Sequence, residues 1–124
     1  MAMNLIRIAK VADFSPENPV KSFKIIGRHV AVFLEQNGTL RAMEVGCRHQ
    51  NANLLQGRRE GDKVTCPWHG WQYNLKTGEC LRGGTNAPLR PHHCKVENGS
   101  VFISAQAVPE GETVLTASIN AKSE

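Results

Sequence analysis

The chain has 124 residues, 40% of them hydrophobic and 21% charged, which suits one globular domain and leaves little room for a second. Fifteen Lys and Arg against eleven Asp and Glu give a formal charge of +4, and no run of consecutive basic residues is longer than Arg58-Arg59, so nucleic-acid binding is not expected. No apolar run approaches the roughly 18 residues of a membrane span, and Met1 to Ile8 lacks the apolar stretch of a secretory signal. The expectation is a cytoplasmic protein without membrane association.

Eleven glycines and short apolar runs broken by turn signals predict a small all-β domain. Leu5 to Ala9 alternates as a first strand, and Ser15-Pro16-Glu17-Asn18-Pro19 then breaks regular structure. Val20 to Ile26 is the second strand, turned by Gly27-Arg28 into His29 to Glu35. Asn37-Gly38, a strong hairpin signal, joins that strand to Thr39 to Glu44. Lys63 to Thr65 and Trp71 to Asn74 are short strands flanking a loop, followed by a turn at Lys76-Thr77-Gly78-Glu79. A loop over Gly83 to Pro88 leads to Leu89 to Val96, which pairs with Ser100 to Ala105 across Asn98-Gly99. The polar residues 106–124 are read as a short strand or a mobile tail. Between Arg48 and Lys95 eight basic residues face three acidic ones, a bias that suits an acidic partner surface or an anionic substrate and is also that of a solvated face.

The chemistry-bearing pattern is Cys47-Arg48-His49, sixteen residues, then Cys66-Pro67-Trp68-His69-Gly70. Each half sits in a turn-rich segment after a predicted strand, so two thiolates and two imidazoles are offered from two loops. Soft thiolates suit zinc or an iron-sulfur cluster, and imidazole suits both, so the ligand types leave the metal open. A first knuckle of the form C-x-H is unlike the C-x2-4-C of zinc fingers.

C-x-H followed by C-P-W-H-G-W-x-Y resembles the Rieske-type [2Fe-2S] signature, in which two Cys hold one iron and two His replace cysteines on the other. Gly83-Gly84-Thr85-Asn86-Ala87-Pro88-Leu89 is similar to the third, proline-bearing loop of that family, and Leu89 to Ile103 to its closing hairpin, so the likeness runs over about residues 4–105. The resemblance implies an antiparallel β-sandwich over residues 1–105, with a small cluster-binding subdomain at about 45–88 formed by two loops and a C-terminal tail at 106–124. It implies one [2Fe-2S] cluster per chain, with Cys47 and Cys66 on the buried iron and His49 and His69 on the outer one. Trp68, Gly70, Trp71, Tyr73 and Pro88 would surround it. Asn51 stands where the family usually has Gly, and Asn tolerates positive φ.

High-potential members carry a loop disulfide and a serine that donates to a cluster sulfur. This chain has Ala52 and Trp68 at the cysteine positions and Trp71 at the serine position, while Tyr73 keeps the phenol. The pattern is therefore similar to low-potential Rieske ferredoxins and oxygenase domains of bacterial ring-hydroxylating systems. The implied function is a one-electron carrier without catalysis of its own, moving electrons from a flavin-dependent reductase to a terminal oxygenase. The alternatives are a small subunit like that of nitrite reductase, an N-terminal Rieske domain of an oxygenase, and a zinc-stabilised interaction module. Among the remaining candidates, Cys94 is expected in the core. Cys80 could approach it, although a cytoplasmic disulfide is not expected, and His29, His92 and His93 are expected at the surface or rim.

Overall fold

The computed structural model describes residues 4–46, 53–68, 70–83 and 87–119. Strands β1 (Leu5–Lys10), β2 (Val20–Ile25), β3 (Arg28–Leu34) and β4 (Thr39–Glu44) are followed by short strands β5 (Arg58–Glu60), β6 (Lys63–Thr65), β7 (Gln72–Asn74) and β8 (Cys80–Arg82). The chain continues through β9 (Pro91–His92), β10 (Cys94–Glu97), β11 (Ser100–Ser104) and β12 (Ala117–Ser118). All pairings among them are antiparallel. They form a three-stranded sheet β1-β11-β10, a five-stranded sheet β12-β4-β3-β2 in which β9 also joins β4, and a four-stranded sheet β5-β6-β7-β8. This is the expected all-β sandwich.

The hairpin β3–β4 lies between two cores because both its faces are apolar. In Val30-Ala31-Val32-Phe33 alternate side chains point to opposite faces. Val30 and Val32 join Leu40, Ala42, Cys94, Val101 and Ile103 in one core, whereas Ala31 and Phe33 join Met43, Val45, Leu54, Val64, Cys66 and Tyr73 in the other. Such a doubly buried strand reads as a continuous apolar run. Arg41, opposite Phe33 in the β3–β4 register, stacks its guanidinium 4.3 Å from the Phe33 ring centre.

Several expectations need correction. The β2–β3 turn lies at Ile26-Gly27, one residue earlier than expected, with φ of 48° and 76°. Gly27 suits that backbone; for a β-branched residue such as Ile26 it is a true outlier. Leu89 to Val96 is not one strand: β9 pairs with β4, β10 pairs with β11, and the chain changes sheet at His93. Strands β5 and β8 are additional to the expected set. Within 106–119 the chain buries Val108, whose N–H donates to Pro91 O (2.8 Å), and supplies β12 on β4. Cys94 is buried as expected, and burial pushes its thiol up to about 12. It belongs to one core while Cys80 packs against the other, so the two do not approach each other as a pair.

His92 is no rim residue; it is 1% exposed. Its Nδ1–H donates to the Ser104 carbonyl (2.7 Å), and its Nε2 lies 3.0 Å from Glu44 Oε2. Arg90 donates from Nε to Glu44 Oε1 (3.1 Å), and Arg28 stands 3.6 Å from the same oxygen. The reason is pairing: a carboxylate facing inward from β4 requires partners, and β9 brings a histidine to it. His29 and His93 are half-buried, and His93 Nδ1 accepts from Leu115 N–H (3.0 Å).

Burial alone would raise the Glu44 pKa, but the His92 hydrogen bond and the charge of Arg90 together outweigh it and hold the carboxyl below its ordinary value. A depressed folded-state value means that the stabilisation is present above about pH 4.5 and is lost as the pH falls through the folded value. Glu44→Gln should therefore cost about 3 kcal/mol near neutral pH, with the deficit shrinking on acidification below that value. Urea unfolding of both proteins across this range is the check, and a deficit independent of pH would refute the assignment.

Candidate functional site

Three chain segments leave the sandwich side by side, and hydrogen bonds pin the stem of each. At the end of β4, Val45 N–H donates to His29 O, and Leu54 N–H donates back to Val45 O, both at 2.8 Å, while Gly46 bridges to Asn53. Asn53 Oδ1 accepts from Leu55 N–H (3.0 Å) and caps the short 3-10 helix Leu54–Gln56. Cys47, Arg48, His49, Asn51 and Ala52, between these stem positions in the sequence, lie outside the described residues.

The second segment starts at Cys66, directly after β6. Cys66 N–H donates to Trp71 O (2.6 Å) and Gly70 N–H donates to Cys66 O (3.2 Å), with Gly70 at φ 74° closing the turn. Cys66 is 3% exposed, in one core with Val45, Leu54, Val64 and Tyr73. Trp68, at the tip, is 62% exposed. His69 lies outside the described residues. The third segment runs from Gly83 to Leu89; residues 84–86 lie outside the described set, Pro88 is exposed, and Leu89 N–H donates to Gly78 O (2.7 Å).

Two glycines hold these segments together: Gly57, which sequence reasoning passed over, and Gly83, which it read only as the start of the third loop. A Cβ on Gly57 would stand 2.0 Å from Thr65 O and 3.1 Å from Pro67 Cδ, so the backbone after the first segment touches the root of the second. A Cβ on Gly83 would stand 2.7 Å from the indole of Trp71, which seats the third segment on the second. Neither residue needs its φ; each needs the missing side chain. The only signal in the sequence is a glycine immediately before or after a short strand.

The chemistry of this junction suits a soft metal centre. Cys66 offers a soft donor at the base of a loop, its backbone N–H is already satisfied, and the apolar side chains around it limit access of water. Tyr73 is fully buried in the same core. Among the described residues no three potential metal ligands come together, since three of the four expected ligands fall on undescribed positions. Around the site, Arg58, Thr65, Gln72 and Arg82 are in register across the four-stranded sheet and share one face, with both arginines exposed.

Gly57→Ala should force the two stems apart, because the atom it meets is backbone. The expected result is a loss of about 3 kcal/mol or more in stability and a lower iron content per chain. Thermal unfolding and iron analysis are the measurements. A variant with unchanged midpoint and iron would show that the stems do not depend on this contact.

The sequence profile of the Rieske [2Fe-2S] domain matches residues 4–98. The chain is 31% identical over 102 residues to the oxygenase component of 3-ketosteroid-9-alpha-monooxygenase from Mycolicibacterium smegmatis, a match covering 77% of this chain and 26% of that protein. It is 28% identical over 106 residues to the ferredoxin component of the naphthalene 1,2-dioxygenase/salicylate 5-hydroxylase systems of Ralstonia sp, covering 86% of this chain and 100% of that one. This chain thus spans about a quarter of the oxygenase relative and the full length of the ferredoxin relative. A chain in the complex of reduced oxygenase and oxidized ferredoxin in carbazole 1,9a-dioxygenase shares the fold, with a TM-score of 0.67 at 24% identity over 88% of this chain and all of that one. No helix among the described residues is long and apolar enough to cross a membrane. The stems, the apolar seat of Cys66 and the profile match over residues 4–98 lead to one conclusion: the chain belongs to the Rieske [2Fe-2S] domain family, whose domain binds a [2Fe-2S] cluster.

Proposed function

We propose that this protein is a Rieske-type ferredoxin, a one-electron carrier that takes electrons from a reductase, flavin-dependent by analogy, and passes them to a terminal oxygenase. The observation that carries the reading is Cys66, a buried thiol at the junction of two pinned stems from which C-x-H and C-x-x-H arise. The ferredoxin component from Ralstonia sp, matched over its full length, supports the carrier role.

In this reading Cys47 and Cys66 hold one iron, and His49 and His69 hold the other. The domain occupies 1–105, with its cluster-binding part at about 45–88. The cluster supplies reversible one-electron chemistry, and the protein supplies ligand geometry, burial and hydrogen bonding. The backbone turn at Cys66–Trp71 fixes where the second pair of ligands begins. Trp68, projecting from that turn, offers an exposed apolar contact to a partner, and Arg58 and Arg82 offer positive charge beside it. We place the carrier in the cytoplasm, a setting in which its cysteines would serve as ligands and core residues rather than as disulfides.

A second reading has one specific observation in its favour. The 3-ketosteroid-9-alpha-monooxygenase relative is an oxygenase component of which this chain spans 26%. A longer native chain continuing into a catalytic domain would make this the Rieske part of an oxygenase, and the mass of the protein isolated from its source separates the two.

His49→Ala and His69→Ala should each lose most of the bound iron, because each would remove one of two protein ligands on one iron. Cys94→Ala should keep it and lose only packing. Iron and acid-labile sulfide, with the visible spectrum before and after dithionite, decide this; full occupancy in either histidine variant would refute the ligand set.

The reduction potential should fall in the lower part of the Rieske range, which runs from roughly −150 to +300 mV, since Trp71 cannot supply a hydroxyl donor. Tyr73→Phe should lower it further. Trp71→Ser should raise it, provided the loop keeps its seat on Gly83. Protein-film voltammetry measures all three, and an upward shift in Tyr73→Phe would refute hydrogen bonding as the control.

A further inference from the structure

The buried carboxylate of Glu44 does more than satisfy a histidine. It anchors two arginines at the end of the sheet from which residues 47–52 depart. Glu44 closes β4 three residues before Cys47, and the Ile26-Gly27 turn ends the neighbouring β2–β3 hairpin at the same edge, since Ile25 pairs with Arg28 and Val30 with Glu44. Here Ile26, Arg28, Glu44, Arg90 and Gln106 line an open notch of about 370 Å³.

The charges in this notch do not cancel. Glu44 is spent: Oε2 faces His92, Oε1 accepts from Arg90, and its side chain is only 6% exposed. Arg28 stands 3.6 Å from Oε1, too far for a hydrogen bond, with its side chain 53% exposed. The Arg90 side chain is 36% exposed. Two guanidinium groups against one carboxylate leave positive charge at the notch that both line, and the hydrogen-bonded guanidinium of Arg90 loses little entropy on binding a second carboxylate.

The rim is apolar and costly. Ile26 is 77% exposed and sits at φ 48°, a conformation that a β-branched side chain avoids. An exposed isoleucine held in a strained turn beside two arginines matches the composition of a protein-docking hot spot better than that of a free-ion site.

We propose that this notch is a docking site for an acidic side chain, Asp or Glu, on the surface of the electron-transfer partner, with Ile26 packing on an apolar neighbour of that carboxylate. The inference rests on the carrier reading above and adds to it a contact outside the cluster loops. Glu44 and His92 act as positioning residues, setting the arginines through the buried pair. Charge complementarity favours this occupant, because the chain carries +4 and the notch holds two of its arginines.

The test is an NMR titration of the oxidised holoprotein with an acetylated, amidated Leu-Glu-Leu-Glu peptide, with the Leu-Gln-Leu-Gln peptide and inorganic phosphate as comparisons at equal ionic strength. The expected result is saturable shifts of the Ile26, Arg28 and Gln106 amides with the glutamate peptide alone. Arg28→Glu should weaken binding by about tenfold or more, and Ile26→Ser should weaken it without changing the visible spectrum of the cluster. Equal shifts from phosphate would mean a free-anion site, and equal shifts from the glutamine peptide would mean no charge recognition; either overturns the proposal, as does Arg28→Glu binding like the parent. Dithionite reduction of the same sample keeps the two readings apart. A redox-active protein without shifts sinks the notch alone, and saturable shifts in a protein whose cluster does not reduce keep the notch and sink the carrier.

Discussion

Burial of both faces of the β3–β4 hairpin is the constraint on which the other elements depend. Val30 and Val32 on one side and Ala31 and Phe33 on the other are all within 3% of full burial. Fully burying a side chain the size of Val or Phe is worth about 1.5–3 kcal/mol, and neither face could be left to water without losing several such contributions. Two layers must therefore be built on one hairpin. The sheet β1-β11-β10 covers one face; the four-stranded sheet and the stems of the loops cover the other. The loops are thus part of the second core. Val45, Leu54 and Cys66 contribute to it directly, so the residues that begin and end the segments proposed to bind the cluster are fixed by the same apolar contacts that fold the domain.

What was legible in the sequence follows from what is local. Asn37-Gly38 and Asn98-Gly99 mark hairpins because their backbone requirements are met within two residues, and both turns are found: Gly38, Asn98 and Gly99 all have positive φ. The C-x-H and C-x-x-H pairs stand out in the sequence because metal ligation, the role proposed for them, imposes residue type and spacing together. Strands β5 and β8 were not, because their side chains are largely exposed and their order comes from the neighbours β6 and β7. A period-2 pattern cannot mark a strand with no buried face. The same holds for the break at His93: alternation runs through Leu89 to Val96, and only the pairing partners, β4 for β9 and β11 for β10, reveal the change of sheet.

The buried pair of His92 and Glu44 was illegible for a different reason. The two residues are 48 positions apart, and a single charged residue at the end of an apolar strand is usually solvated. Nothing local says that Glu44 faces inward. Its placement depends on β9 lying against β4, which depends in turn on the third loop returning the chain across Trp71 and Gly78. Gly57 and Gly83 belong to the same class. Their role is the absence of a side chain where the backbone meets a distant segment, the main chain of Thr65 for Gly57 and the indole of Trp71 for Gly83, a demand visible only once both are in place.

An electron carrier, the role proposed for this chain, is best served by a site whose surroundings change little between oxidation states, and the architecture would meet that need largely with backbone contacts. The stems at Val45–Leu54, Cys66–Trp71 and Gly78–Leu89 are each closed by main-chain hydrogen bonds, and the glycine contacts hold them together, Gly57 against the Thr65 backbone and Gly83 against the Trp71 indole. Side chains are then left for tuning and recognition. Tyr73 is buried in the core that holds Cys66, whereas Trp68, Ile26 and Arg28 are exposed. Placing rigidity in the main chain and recognition in exposed side chains allows one cluster-binding frame to serve partners of different surface chemistry, since a change at Ile26 or Arg28 need not disturb the stems. If the proposed docking notch is correct, the recognition elements are arginines and isolated apolar tips, and the partner surface that fits them is acidic with apolar recesses.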